Sequence, residues 1–203
     1  MKPYELDINA EALRVRKAND KWWRDLETGE PIERDKQDML FLVITELSEC
    51  FEGWRKNLPD THLPQYPMMQ VEIIDAFIRL LDYTHGWYGD IPYAWTGFER
   101  EPTEDEKQVR TVANFLLDLS NAITAFWQKE ALLKVTDIHG YEEDVRLSMG
   151  DDLLNIIGGL FIFAKFFGFE DQFVEIYEAK MAYNATREDH TLEARRGKHG
   201  KKV

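Results

Sequence analysis

Four carboxylates define the chemistry open to this chain. They read Glu46-Leu47-Ser48-Glu49, then the spacer 50–71, then Glu72-Ile73-Ile74-Asp75. Each pair is spaced i, i+3, so its two members share one helix face. Two such helices packed side by side aim all four acids at one small volume. Acids gathered in a partly dry space cannot all ionise, because desolvation and mutual repulsion raise their pKa values. A divalent cation resolves the conflict. Hard oxygen ligands without Cys or paired His favour Mg²⁺, with Mn²⁺ as the alternative. The bland alternative is an ordinary solvated acidic face.

The segment carrying the second pair argues against that alternative. From Val71 to Tyr83 the charged residues are Glu72, Asp75, Arg79 and Asp82, one narrow stripe at helical period. The positions between them are apolar, apart from the polar tip of Tyr83. A helix apolar on nearly all sides is buried, so its polar stripe faces an internal groove. The first pair follows the unbroken apolar run Met39 to Ile44.

With 203 residues, 44% hydrophobic and 13% aromatic, the chain is long enough for one folded domain, 1–203, with a real core. A net charge of −13 argues against a nucleic-acid polymer as partner, since that needs a basic surface. A single nucleotide bound through metal remains compatible. Cys50 is the only cysteine, which excludes an intrachain disulfide and fits a reducing compartment. The stretch Met1 to Asn9 has no signal-peptide pattern, and the longest apolar run, Ile156 to Lys165, is too short to span a bilayer. These features lead to the expectation of a soluble, cytoplasmic protein with no membrane partner.

Helical patterns run over 5–27, 33–56, 68–88, 103–135, 142–167 and 170–187, and no alternating strand pattern interrupts them. The expected class is all-α: a helical bundle of two tandem helix-pair repeats. Residues 33–90 hold the acid pairs. Residues 103–187 hold the second pair and a contact helix, and 188–203 form a basic tail, most simply flexible, with ordering on phosphate as the alternative. Thr103 is the expected N-cap of the fourth helix, with Glu106 reaching back. Adjacent Trp22 and Trp23 cannot share one helix face. Either one enters the core while the other borders a pocket, or both are half-buried packing residues.

Overlaying the halves predicts an internal repeat. A shift of 72 places Glu46 and Glu49 on Asp118 and Asn121, and a shift of 80 places Glu72 and Asp75 on Asp152 and Asn155. The helices persist while the acids change, as in one working site and one decayed copy. Late in the chain, Lys180, Asn184 and Arg187 fall at i, i+4, i+7, one helix face able to donate to phosphate. The same spacing also suits a plain charged surface stripe.

The paired acids, with Lys21-Trp22-Trp23, Thr28-Gly29-Glu30, Glu52-Gly53-Trp54-Arg55-Lys56 and the late Lys180 to Arg187 segment, resemble the MazG-like all-α nucleoside triphosphate pyrophosphohydrolases. The resemblance covers roughly 19–90 and 175–203. It implies Mg²⁺ held by Glu46, Glu49, Glu72 and Asp75. It also implies that a (deoxy)nucleoside triphosphate is cut to monophosphate and pyrophosphate. Lys180, Asn184, Arg187, Lys21 and Trp22 are the substrate contacts carried over, and a homodimer or higher homo-oligomer is the implied assembly. The additional segment, about 95–175, is similar to the pseudo-repeat of dimeric dUTPases. Trp22, Trp23, Trp54 and Tyr88 are candidate base-stacking residues, and each is equally a candidate for the core.

Two other readings compete. A carboxylate-bridged di-iron bundle needs Glu-x-x-His twice, whereas the chain offers only Asp82-x-x-His85 once. A catalytically inactive helical binding or scaffold protein would keep the acidic cluster as structure.

Overall fold

The computed structural model describes residues 1–91, 103–105, 110–133, 135–136 and 139–196. Within them the chain is an all-α bundle with no strand. The helices are α1 (Ile8–Ala18), α2 (Lys36–Lys56), α3 (Met68–Tyr88), α4 (Val112–Leu133), α5 (Glu142–Phe166), α6 (Phe173–Thr186) and α7 (Leu192–Arg196). Helix α3 is the axis, packing against α1, α2, α5 and α6. Its apolar residues on every side account for this: Val71, Ile74, Phe77, Leu80 and Leu81 are all fully buried. Phe77 meets Phe161 of α5, and Phe173 and Tyr177 of α6, at ring-centroid distances of 5.3–5.4 Å.

Local chemistry holds the α2–α3 hairpin in register. Asp35 caps α2 by accepting from the Asp38 N–H at 2.9 Å, and Asn57 ends it in the left-handed region at φ 51°. In the loop between them, buried Asp60 accepts from the backbone N–H groups of His62 and Leu63 at 2.9 and 2.7 Å. Gly53 lets the two helices approach closely, since a Cβ there would lie 2.8 Å from Met68 Cβ and 2.9 Å from the Met69 nitrogen.

Two boundaries differ from the sequence expectation. The helix expected over 5–27 stops at Ala18 and gives way to a 3₁₀ turn, Asp20–Trp23. That turn swings Trp23 into the core, where its indole packs on Gly86 and donates to Asp82. The helix expected over 103–135 is interrupted: 104–105 are helical and 110–111 are not, and α4 runs from Val112, where Thr111 Oγ1 accepts from the Asn114 N–H at 3.2 Å. The cap expected at Thr103 requires Glu106, which lies outside the described residues.

Helices α4 and α5 pack on one another, and α4 also packs on α2. A buried carboxylate, Glu130 of α4, ties these layers together. It accepts from the Tyr83 and Tyr88 hydroxyls at 2.8 and 2.6 Å and pairs with the Lys36 ammonium at the start of α2. Helix α5 is long and apolar enough to cross a membrane by length and composition alone, yet 61% of its apolar stretch is buried inside the bundle. The position expected to be a loose basic tail is in part docked: Arg195 of α7 is 4% exposed, with its guanidinium 4.1 Å from the Trp22 ring. Lys198, His199, Lys201 and Lys202 lie outside the described residues.

Candidate metal centre and adjoining cleft

Helices α2 and α3 bring Glu46, Glu72 and Asp75 together, with one oxygen of each within 4.8 Å of the others. Glu46 and Glu72 are each 6% exposed, which removes the ordinary solvated acidic face as a reading for them. Glu49, the fourth acid, is exposed on α2 and stays outside the cluster, although its charge still acts on Glu72. Among the described residues no histidine joins an acid group of this kind, and Asp82, the acid of the di-iron alternative, is engaged by Trp23 instead.

Two cations partly balance the cluster. Lys180 of α6, 3% exposed, places its Nζ 2.7 Å from Asp75 Oδ2, and Arg79 Nε lies 2.5 Å from Glu46 Oε1. Glu72 has no such partner among the described residues. Burial, reinforced by the charges of Asp75 and Glu46, pushes its carboxyl well above the usual carboxylate range. Burial also drives Asp75 above the usual carboxylate value, and the Lys180 ammonium holds back part of that rise. Burial works against the Lys180 charge, but Asp75, with Asp60 and Glu72 beyond it, carries the ammonium above the ordinary lysine value.

These residues fit a divalent cation. Three hard oxygen donors converge, and a cation between them would relieve the repulsion that raises the Glu72 carboxyl.

Asp75 also belongs to the wall of a cleft of about 420 Å³. From there the polar stripe of α3 continues along the cleft through Arg79 to Asp82. Facing it are Asn184 and Arg187 at the end of α6, and Trp22 from the 3₁₀ turn. The i, i+4, i+7 face of α6 thus serves the site, with Lys180 inside the cluster and the other two on the cleft wall. Of the tryptophan pair, Trp23 is 6% exposed core and Trp22 borders the cleft. Trp54 is 47% exposed and Tyr88 is committed to Glu130, so neither lines the cleft. Lys21 points elsewhere, into a neighbouring cleft with Arg195 and Arg196.

Arg34 was not singled out by the sequence: the helical pattern read over 33–56 includes it, whereas α2 begins only at Lys36 and Arg34 sits in the irregular stretch before it. It lines the cleft with its Nη1 3.8 Å from Asp82 Oδ2, and its guanidinium lies 5.7 Å from the Trp23 ring. Asp82 itself is 4% exposed and accepts from Trp23 Nε1 at 3.1 Å. Burial pushes its carboxyl up to about 6, against the lowering effects of Trp23, Arg34 and Asn19.

The α4–α5 pair has its own groove. Asp118, Asp152 and Asn155 line it, but Arg110 reaches Asp118 at 3.5 Å and Lys129 pairs with Asp152 at 2.5 Å. Among the described residues no set of three converging ligands forms there. No protein-family model matches the chain, no curated protein is significantly similar to it in sequence, and no solved structure is significantly similar to its fold.

Proposed function

We propose that the cleft is the active site of a Mg²⁺-dependent nucleoside triphosphate pyrophosphohydrolase, which converts a (deoxy)nucleoside triphosphate to the monophosphate and pyrophosphate. The observation that carries this reading is the position of Asp75. It is at once a member of the buried carboxylate cluster and part of the wall of a nucleotide-sized cleft. Carboxylates alone would repel a polyphosphate, but here they stand beside Lys180, Arg79, Arg187 and Asn184.

In this mechanism Glu46, Glu72 and Asp75 would hold Mg²⁺, which would offset the phosphate charge and supply Lewis-acid polarisation of the phosphoryl group. Lys180 and Arg79 keep the cluster close to neutral before substrate arrives. Arg187 and the Asn184 amide donate to phosphate oxygens from the α6 side. Glu49, exposed one helical turn from Glu46 and without an ion pair among the described residues, accepts the proton of the attacking water. Glu52 is less suited to that role because Arg55 and Lys56 already pair with it. Attack breaks one P–O bond of the anhydride and releases pyrophosphate. A homo-oligomer accompanies this reading, and exposed Phe41 (62%) and Trp54 (47%) on α2 are among the apolar side chains available to it.

The test is pyrophosphate release from a panel of ribo- and deoxyribonucleoside triphosphates with Mg²⁺. Turnover is expected in the wild type and is lost in Glu72→Gln and Glu49→Gln, with helicity by circular dichroism unchanged. Equal activity in Glu49→Gln removes that residue from the mechanism. No turnover, together with no Mg²⁺ binding by calorimetry, makes the cluster a structural element of a scaffold protein.

A further inference from the structure

The proposed reaction needs only the phosphate end of the cleft, and the opposite end is built differently. Along α3, Asp82 lies two helical turns beyond Asp75, a rise of about 10 Å. Both line the same cleft, so it runs from the metal cluster to a buried carboxylate. Between these ends Arg79 lies on the polar stripe, and the apolar walls beside it are Met39 and Leu42 from α2, Ile78 from α3, and the Trp22 ring. A flat aromatic base fits between such walls, and its edge would then meet Asp82 and Arg34.

We propose that Asp82 and Arg34 read the base, and that the preferred nucleotide carries guanine. This rests on reading the cleft as a nucleotide site. Asp82 Oδ1 takes the Trp23 indole N–H at 3.1 Å, the Asn19 side chain also bonds to this carboxylate, and Arg34 Nη1 stands 3.8 Å from Oδ2. A carboxylate has about four acceptor positions, so capacity for further donors remains. The pair therefore presents an acceptor next to a donor. The guanine edge sets two adjacent N–H donors, N1 and the 2-amino group, beside the O6 acceptor. The carboxylate receives both donors, and the guanidinium donates to O6. In adenine, cytosine and uracil the atom beside the single donor carries a lone pair, which a carboxylate repels. Trp23 and Gly86 keep Asp82 in place: the indole touches the glycine so closely that no side chain fits between them.

The experiment measures calorimetric affinities of GMP, IMP, AMP, CMP and UMP in magnesium-free buffer, alongside pyrophosphate release from the matching triphosphates. GMP is expected to bind about tenfold or more tighter than AMP, CMP and UMP, a difference typical of one good bidentate contact. IMP, which lacks the 2-amino group, falls between them. Asp82→Asn is expected to abolish the GMP advantage. The IMP comparison needs no substitution, so it carries the test even if that variant folds poorly. Equal affinity for IMP and GMP, a preference for another base, or no monophosphate binding at millimolar concentration overturns the assignment. Turnover without base preference overturns it and leaves the pyrophosphohydrolase reading intact. GMP preference without turnover sustains it and removes that reading.

Discussion

Lys180 is buried against Asp75, and each charge is tolerable only because of the other. Lys180→Met leaves Asp75 as a buried carboxylate without its cation and is expected to destabilise the fold by about 3–5 kcal/mol. Urea denaturation of the variant checks this, and in the proposed enzyme turnover falls with it. Asp82 supplies a pH signature. Burial raises its carboxyl from the ordinary 3.8 to about 6, so between roughly pH 4 and 6 the unfolded chain has lost a proton that the folded one retains. Stability contributed by this group is therefore present at the acid end of the window and is lost as pH rises through it. Denaturation midpoints across that window are expected to fall less steeply with pH in Asp82→Asn than in the wild type.

At the scale of elements, the bundle depends on close approaches that only glycine permits and on one polar clamp. A Cβ on Gly86 would meet Trp23 Cη2 at 2.3 Å, so Gly86→Ala forces the indole to shift and loosens its bond to Asp82. The expected cost is about 1–3 kcal/mol by denaturant titration, with the far end of the cleft disturbed and the metal cluster spared. Glu130→Ala leaves the Tyr83 hydroxyl, the Tyr88 hydroxyl and the Lys36 ammonium without their common acceptor where α2, α3 and α4 meet. Each unsatisfied group costs about 1–3 kcal/mol, so cooperative unfolding is expected at markedly lower temperature. The helices themselves were legible because an apolar period and capping residues are local properties. The end of α1 was not, because the demand that Trp23 turn inward toward Asp82 comes from α3, far along the chain.

For the whole molecule, a bundle that gathers three acids in a dry site gains stability when a cation binds the folded state alone. At Mg²⁺ about a hundredfold above its dissociation constant the gain is about 2.7 kcal/mol, on the order of 5–10 °C in midpoint for a chain of this size. Differential scanning calorimetry with and without Mg²⁺ checks this. The shift is expected to vanish in Glu72→Gln, which removes a ligand charge without adding bulk.

The sequence by itself determined that the chain is helical and that its acids come in pairs sharing a face. It also placed Lys180, Asn184 and Arg187 on one face of a late helix, since all of these follow from spacing and helical period. Only the tertiary structure decided which acids are dry. Glu46 and Glu72 are enclosed while Glu49 faces outward, because burial is set by what packs across a helix and not by the helix's own residues. It alone brought Arg34 beside Asp82 and laid Arg195 on Trp22. These side chains stand on turns and a short terminal helix, where direction comes from contacts with distant parts of the chain and no local repeat announces it.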